Sequence, residues 1–99
     1  MVGLEILVKI KPEKRSEFLQ AFKMVKQINQ LPEKRIDQEL FEQIKEPNTF
    51  LWLEHWENTE SLTHYYQDNK YKAMMGAIDI MGQLVQRRIF SIKEEKTNE

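Results

Sequence analysis

The chain has 99 residues, 40% of them hydrophobic and 31% charged, with 15 basic residues against 16 acidic ones. That length and balance fit one folded domain and exclude a disordered chain. The near-zero charge speaks against a nucleic-acid partner or an anionic membrane surface, both of which call for excess Lys and Arg. There is no cysteine, so disulfides, thiolate nucleophiles and cysteine-held metals are excluded together.

Leu4, Ile6, Val8 and Ile10 alternate with Glu5, Leu7, Lys9 and Lys11, a period of two that predicts a strand with one buried face. Glu5 and Lys9 interrupt the apolar run, so it does not read as a secretory signal. No stretch approaches the ~20 apolar residues of a membrane span. A cytoplasmic protein is the default expectation. Pro12 closes the strand and can open a helix, where its missing N–H costs nothing. Phe18, Ala21, Phe22, Val25 and Ile28 then recur at spacings of three and four, a helical stripe ending at Leu31-Pro32.

A second strand is expected over 35–45, with Ile36, Leu40 and Ile44 on one side and Gln38 and Glu42 between them. Glu46-Pro47-Asn48-Thr49 is a turn, and FLWLEHWE, Phe50 to Glu57, is the most strand-like segment of the chain. The two strands and their turn form a hairpin. Asn58 caps a helix over 59–67, and Asp68 or Asn69 caps another over 70–81, which Gly82 closes as a glycine just past a helix end commonly does. A last strand covers 84–93. Residues 1–93 thus form a single domain, and 94–99 are a charged tail.

The order β-α-β-β-α-α-β is that of an α+β, ferredoxin-like domain, a four-stranded antiparallel sheet with helices on one face. In the third strand Phe50, Trp52, Glu54 and Trp56 alternate with Leu51, Leu53 and His55, so both faces are too apolar to meet water. One face packs on the helices and the other needs a partner, for which a homodimer is the simplest source.

EPNTFLWLEHWENTESL with YKAMMGAI, and the opening VKIKPEKRSEFLQAF, resemble the antibiotic biosynthesis monooxygenase family. The matching positions are Lys11, Pro12, Glu13, Phe18, Pro47, Asn48, Phe50, Leu53, Glu54, Trp56, Leu62, Tyr71, Lys72 and Ala73, and the likeness runs from Leu4 to Ile92. The resemblance implies a dimeric α+β barrel with a ligand pocket between sheet and helices in each subunit. Trp56 would line it, and a quinol-like or polycyclic aromatic substrate would react with O₂ without metal or flavin. The family's heme-degrading branch carries an Asn and a His where this chain has Ile6 and Met75, which speaks against heme degradation. The family's frequent Gly-Cys falls at Lys34-Arg35, and the register of a helical His falls on Tyr65, beside His64.

The candidate catalytic residues are therefore Trp56, His64 and Tyr65, and the candidate substrate-binding residues are Trp52, Tyr71 and Met75. Each also has a structural reading: aromatics as core, methionines as core filler, histidines as surface groups. His55 lies across the strand from Trp56 and is expected at the dimer interface. No HExxH or similar spacing offers a metal site, and no cofactor is called for. The alternative function is a non-catalytic dimeric module that binds a small ligand, or a dimer whose own methionines fill the cavity.

Overall fold

A computed structural model describes residues 1–28 and 35–92, with the side chains of 25–28 left aside. The Leu31-Pro32 helix break and the charged tail lie outside the described residues. The order is β1 (Val2–Ile10), a 3₁₀ turn (Pro12–Lys14), α1 (Arg15–Ile28), β2 (Arg35–Glu42), β3 (Thr49–Trp56), α2 (Thr59–Tyr66), α3 (Asn69–Met81) and β4 (Gly82–Ser91). The strands form one antiparallel sheet in the order β2-β3-β1-β4, the ferredoxin-like arrangement.

Alternation decides which face meets the helices. Leu4, Ile6, Val8 and Ile10 of β1 and Phe50, Trp52, Glu54 and Trp56 of β3 are all buried. Cross-strand partners share a face, and Ile6 pairs with Trp52 and Leu4 with Glu54. Phe18 of α1, Leu62 of α2 and Tyr71, Ile78 and Met81 of α3 close over this row. Asn58 caps α2 by accepting the Ser61 N–H at 2.9 Å, and Asp68 caps α3 by accepting the Lys70 N–H at 2.7 Å.

Three local expectations are corrected. β2 ends at Glu42, and Ile44 lies beyond it, 99% exposed. Ile36 is also half-exposed, because the β2–β3 register shifts between Arg35 and Asp37: Arg35 pairs with Trp56 and Asp37 with His55. The bulge turns Ile36 out and delivers Arg35 to the helix-facing side, where it is buried. Gly82 does follow α3, but with φ 179° it is extended rather than left-handed. A Cβ there would lie 2.0 Å from the Lys9 carbonyl oxygen, so glycine is required by close approach of β1.

The other sheet face carries Leu7, Leu51 and Leu53, half-buried, with Phe41 half-exposed at its edge. Leu53 pairs with Glu5 on one side and Glu39 on the other. Glu5 accepts from Arg88 at 2.6 and 3.0 Å, and His55 Nδ1 lies 2.5 Å from Asp37. No helix among the described residues covers this face, and none is long and apolar enough to cross a membrane.

Candidate functional site

Between the sheet and its helices lies a cavity of about 320 Å³. Phe18, Ala21 and Phe22 of α1 form one wall and Ala73, Met74, Ala77, Ile78 and Met81 of α3 the other, while Trp52, Arg35, Tyr65 and Lys70 complete the lining. Three of the lining residues, Ala21, Ala73 and Ala77, are alanines, which take little of the space. Phe22 stands edge-on to Trp52 with centroids 4.9 Å apart, a favoured aromatic geometry that fixes the floor against the wall.

Beneath the cavity is a fully buried carboxylate. Glu54 accepts hydrogen bonds from Gln38 Nε2 at 2.7 Å, Trp52 Nε1 at 3.0 Å, Trp56 Nε1 at 3.1 Å and the Tyr65 hydroxyl at 3.4 Å. Arg35 Nη1 lies 3.6 Å from the same group. A buried ion is tolerable only when its lone pairs are filled, and this one is met by four neutral donors and a guanidinium. Both tryptophans are thereby oriented by a residue placed between them in the strand.

Arg35 is 7% exposed, and its Nε has no hydrogen-bond partner among the described residues. Burial, with the nearby Glu54 charge adding to it, raises the Tyr65 hydroxyl well above its usual pKa. Tyr65 therefore keeps its proton near neutrality and acts as a donor. Behind it the rings of Trp56, Tyr65, Tyr71 and Tyr66 follow one another at 4.8, 5.2 and 4.9 Å. Burial and the neighbouring Tyr71 push Tyr66 up to about 12. Arg87 donates to the Tyr71 hydroxyl at 2.7 Å and lies over the Tyr66 ring.

Of the residues singled out from sequence, Trp52 and Tyr65 line the cavity. Trp56 and Tyr71 are buried in the aromatic row and are not among the lining residues. Met75 is half-buried beside the lining Met74, and His64 is exposed on α2. Among the described residues no three His, Asp or Glu gather as metal ligands. Arg35 and Glu54 were not singled out. Their signal is a carboxylate in the buried row of β3, flanked by two indoles that each need an acceptor.

A family model described as antibiotic biosynthesis monooxygenase matches residues 1–77. The chain belongs to this family. A Bacillus subtilis relative named "Putative monooxygenase YcnE" is 31% identical over 75 residues, 76% of this chain and 79% of that protein. Among solved structures, one from Deinococcus radiodurans, described as a putative antibiotic biosynthesis monooxygenase, superposes with TM-score 0.84 at 16% identity, covering 100% of this chain and 99% of that one. SnoaB of Streptomyces nogalater, a cofactor-independent oxygenase, gives 0.72 at 9% identity over 98% of this chain and 97% of its own. At such identities the structures share the fold. The expected family and the α+β, ferredoxin-like fold of the single chain are thus met.

Proposed function

We propose that this protein is a cofactor-independent monooxygenase that oxidises a small quinol-like aromatic compound in the cavity over Trp52, working as a homodimer in the cytoplasm. The observation that carries the reading is the cavity itself. It is an apolar space with an indole, a protonated phenol and a guanidinium at one end. A volume of about 320 Å³ is at the lower end for ligand pockets, which favours one or two fused rings over a longer polycycle. Such a ligand stacks on Trp52, and the desolvated walls strengthen each polar contact made to its oxygens. One atom of O₂ enters the ring system and the other leaves as water; the substrate supplies all four electrons and the two hydrogens of that water, so a hydroquinone leaves as a hydroxyquinone.

The residues assigned to the reaction are Trp52 as floor, Tyr65 as hydrogen-bond donor, and Met74 as adaptable wall, with Met75 packed beside it. Trp56 and Tyr71 hold Tyr65 in place from behind. The homodimer is proposed because Leu7, Leu51, Leu53 and Phe41 form an apolar surface on the sheet's other face, which a second copy can cover by two-fold symmetry.

The test is oxygen uptake with mono- and bicyclic hydroquinones, comparing wild type with Trp52→Phe, Tyr65→Phe and His64→Ala. Uptake that falls in the first two and persists in the third supports the assignment. No uptake by wild type removes the oxygenase reading and leaves the same cavity as a binding site for a small aromatic ligand.

A further inference from the structure

Arg35 is placed with more donor capacity than its structural role uses. A guanidinium carries five N–H donors in a fixed fork. Its contact with Glu54 is a single nitrogen–oxygen approach of 3.6 Å, long for an ion pair, and Glu54 already receives four other hydrogen bonds. The Nε is buried and unpartnered among the described residues. Yet the side chain lines the cavity, where the other walls are mostly apolar. Neutralising Glu54 does not require a charged group on the cavity surface. A bulge in β2 is what brings it there, at the expense of burying Ile36.

The cavity lining also holds no carboxylate or imidazole among the described residues. Tyr65 retains its proton, and the Glu54 oxygens are occupied by donors. Nothing in the lining is therefore suited to strip a proton from a weakly acidic ligand. A ligand that arrives ionised needs no such base.

We propose that Arg35 is the anchor for an anionic oxygen on an aromatic ligand, so that the cavity selects ring compounds bearing a carboxylate or an ionised phenol over their neutral analogues. The proposal rests on the cavity over Trp52 being the ligand site, and it names the charge of what enters. The ring lies between Trp52 and α3, and its oxygen group meets the guanidinium of Arg35, with Lys70 as a second cation in the lining. Arginine suits this role because its fork matches the two oxygens of a carboxylate.

The test is binding, read from quenching of tryptophan fluorescence and by calorimetry. The probes are 2-naphthoate, its neutral counterpart 2-naphthalenemethanol, and 4-nitrophenol, whose visible phenolate band reports its ionisation. Wild type is expected to bind naphthoate at least about tenfold more tightly than the alcohol, as a charge-assisted hydrogen bond requires. Bound 4-nitrophenol is expected to show more phenolate than free dye at the same pH. A response from naphthoate alone identifies a carboxylate site, and a response from both a general oxyanion site.

Arg35→Met leaves Glu54 without its cation and can fail to fold, so Arg35→Met/Glu54→Gln, which removes both charges, is measured beside it. Both variants are expected to lose the preference while still binding the alcohol. The proposal is overturned if wild type shows no preference or binds neither probe. It is equally overturned if the folded double variant keeps the preference, or if Lys70→Met alone abolishes it. An anion preference that depends on Arg35, without oxygen uptake on hydroquinones, leaves the anchor standing and removes the oxygenase reading. Uptake without the preference does the reverse.

Discussion

Arg35 occupies the position on the helix-facing side of the sheet that simple alternation gives to Ile36. The exchange follows from one extra residue in β2, which leaves Ile36 half-exposed and sets the guanidinium 3.6 Å from Glu54. The bulge therefore couples a backbone irregularity to the only cation paired with the buried carboxylate among the described residues. Bulges beside functional sites commonly re-aim a side chain in this way.

The Glu54 cluster makes a stability prediction that separates charge from hydrogen bonding. Glu54→Leu leaves two indole N–H groups, an amide and a guanidinium without their acceptor, and is expected to cost about 3–5 kcal/mol. Glu54→Gln keeps an acceptor oxygen and is expected to cost clearly less. Thermal unfolding followed by circular dichroism ranks the two, and equal losses would contradict the role given to the acceptor.

At the opposite end of β3 a second charge cluster makes a pH prediction. Arg15 donates to Glu42, at 2.7 Å through Nη2, and to Asn48 Oδ1 at 3.0 Å, while Glu42 also accepts the Asn48 N–H at 2.9 Å. Asn48 has φ 68°, the left-handed turn conformation that Asn tolerates. The Arg15 hydrogen bond first, and the Asn48 N–H second, lower the Glu42 pKa from 4.5 to about 2. The folded value lies below the unfolded one, so the unfolded chain binds more protons between them. The contribution is full above the unfolded value and is lost as pH falls from there towards 2. Chemical denaturation across this acid range is expected to show a flatter profile for Glu42→Gln than for wild type. Because the pair is exposed, added salt is expected to shrink the difference.

Gly82 gives the clearest backbone prediction. A Cβ at this position would meet the Lys9 carbonyl oxygen at 2.0 Å and the Ile10 Cα at 2.8 Å, both main-chain atoms of a paired strand. Neither can swing aside as a side chain can. Gly82→Ala is expected to destabilise by more than about 2 kcal/mol, well beyond an ordinary surface substitution, whereas Gly76→Ala meets nothing within 4 Å and, inside α3, is expected to stabilise slightly. Urea unfolding of the two variants makes the comparison.

Most of the architecture was legible because alternation in β1 and β3 is clean and the caps at Asn58 and Asp68 are chemically explicit. β2 was legible as a strand but not in its facing, since a period-two pattern carries no mark of an inserted residue. At the site, Trp52 and Tyr65 could be picked out as aromatic and polar groups on elements that face each other. Arg35 could not, because its burial depends on that same bulge. His64 and Tyr65 are adjacent in sequence, and the helix turns one outward and the other in; its phase against the sheet decides which, and a short helix gives little pattern to fix that phase.

The proposed assembly is tested at Leu53. Its cross-strand neighbours on the open face are Glu5 and Glu39, so a lysine there sits between two carboxylates and the sheet of a single subunit tolerates it. A twin surface meeting the same spot would instead bury an ammonium among leucines. Leu53→Lys is expected to sediment as one subunit while keeping its circular dichroism, and wild type as two. Wild type sedimenting as a single subunit would remove the homodimer.

The alanines of the cavity wall set function against stability, and Ala77 is the sharpest place to see it. It lines the 320 Å³ cavity and packs beside the core. Ala77→Leu adds three heavy atoms that the space accepts without displacing backbone, and leucine is itself a good helix former. Filling a void in this way is expected to raise stability by about 0.5–2 kcal/mol, or roughly 4–8 °C in Tm per kcal/mol for a domain of this size. The same leucine occupies the volume assigned to the aromatic ring, so ligand binding is expected to fall by at least about tenfold, the scale of one lost hydrophobic contact. A cavity that exists for a ligand predicts both changes together. A leucine that stabilises the protein and leaves naphthoate binding intact would place the ligand elsewhere.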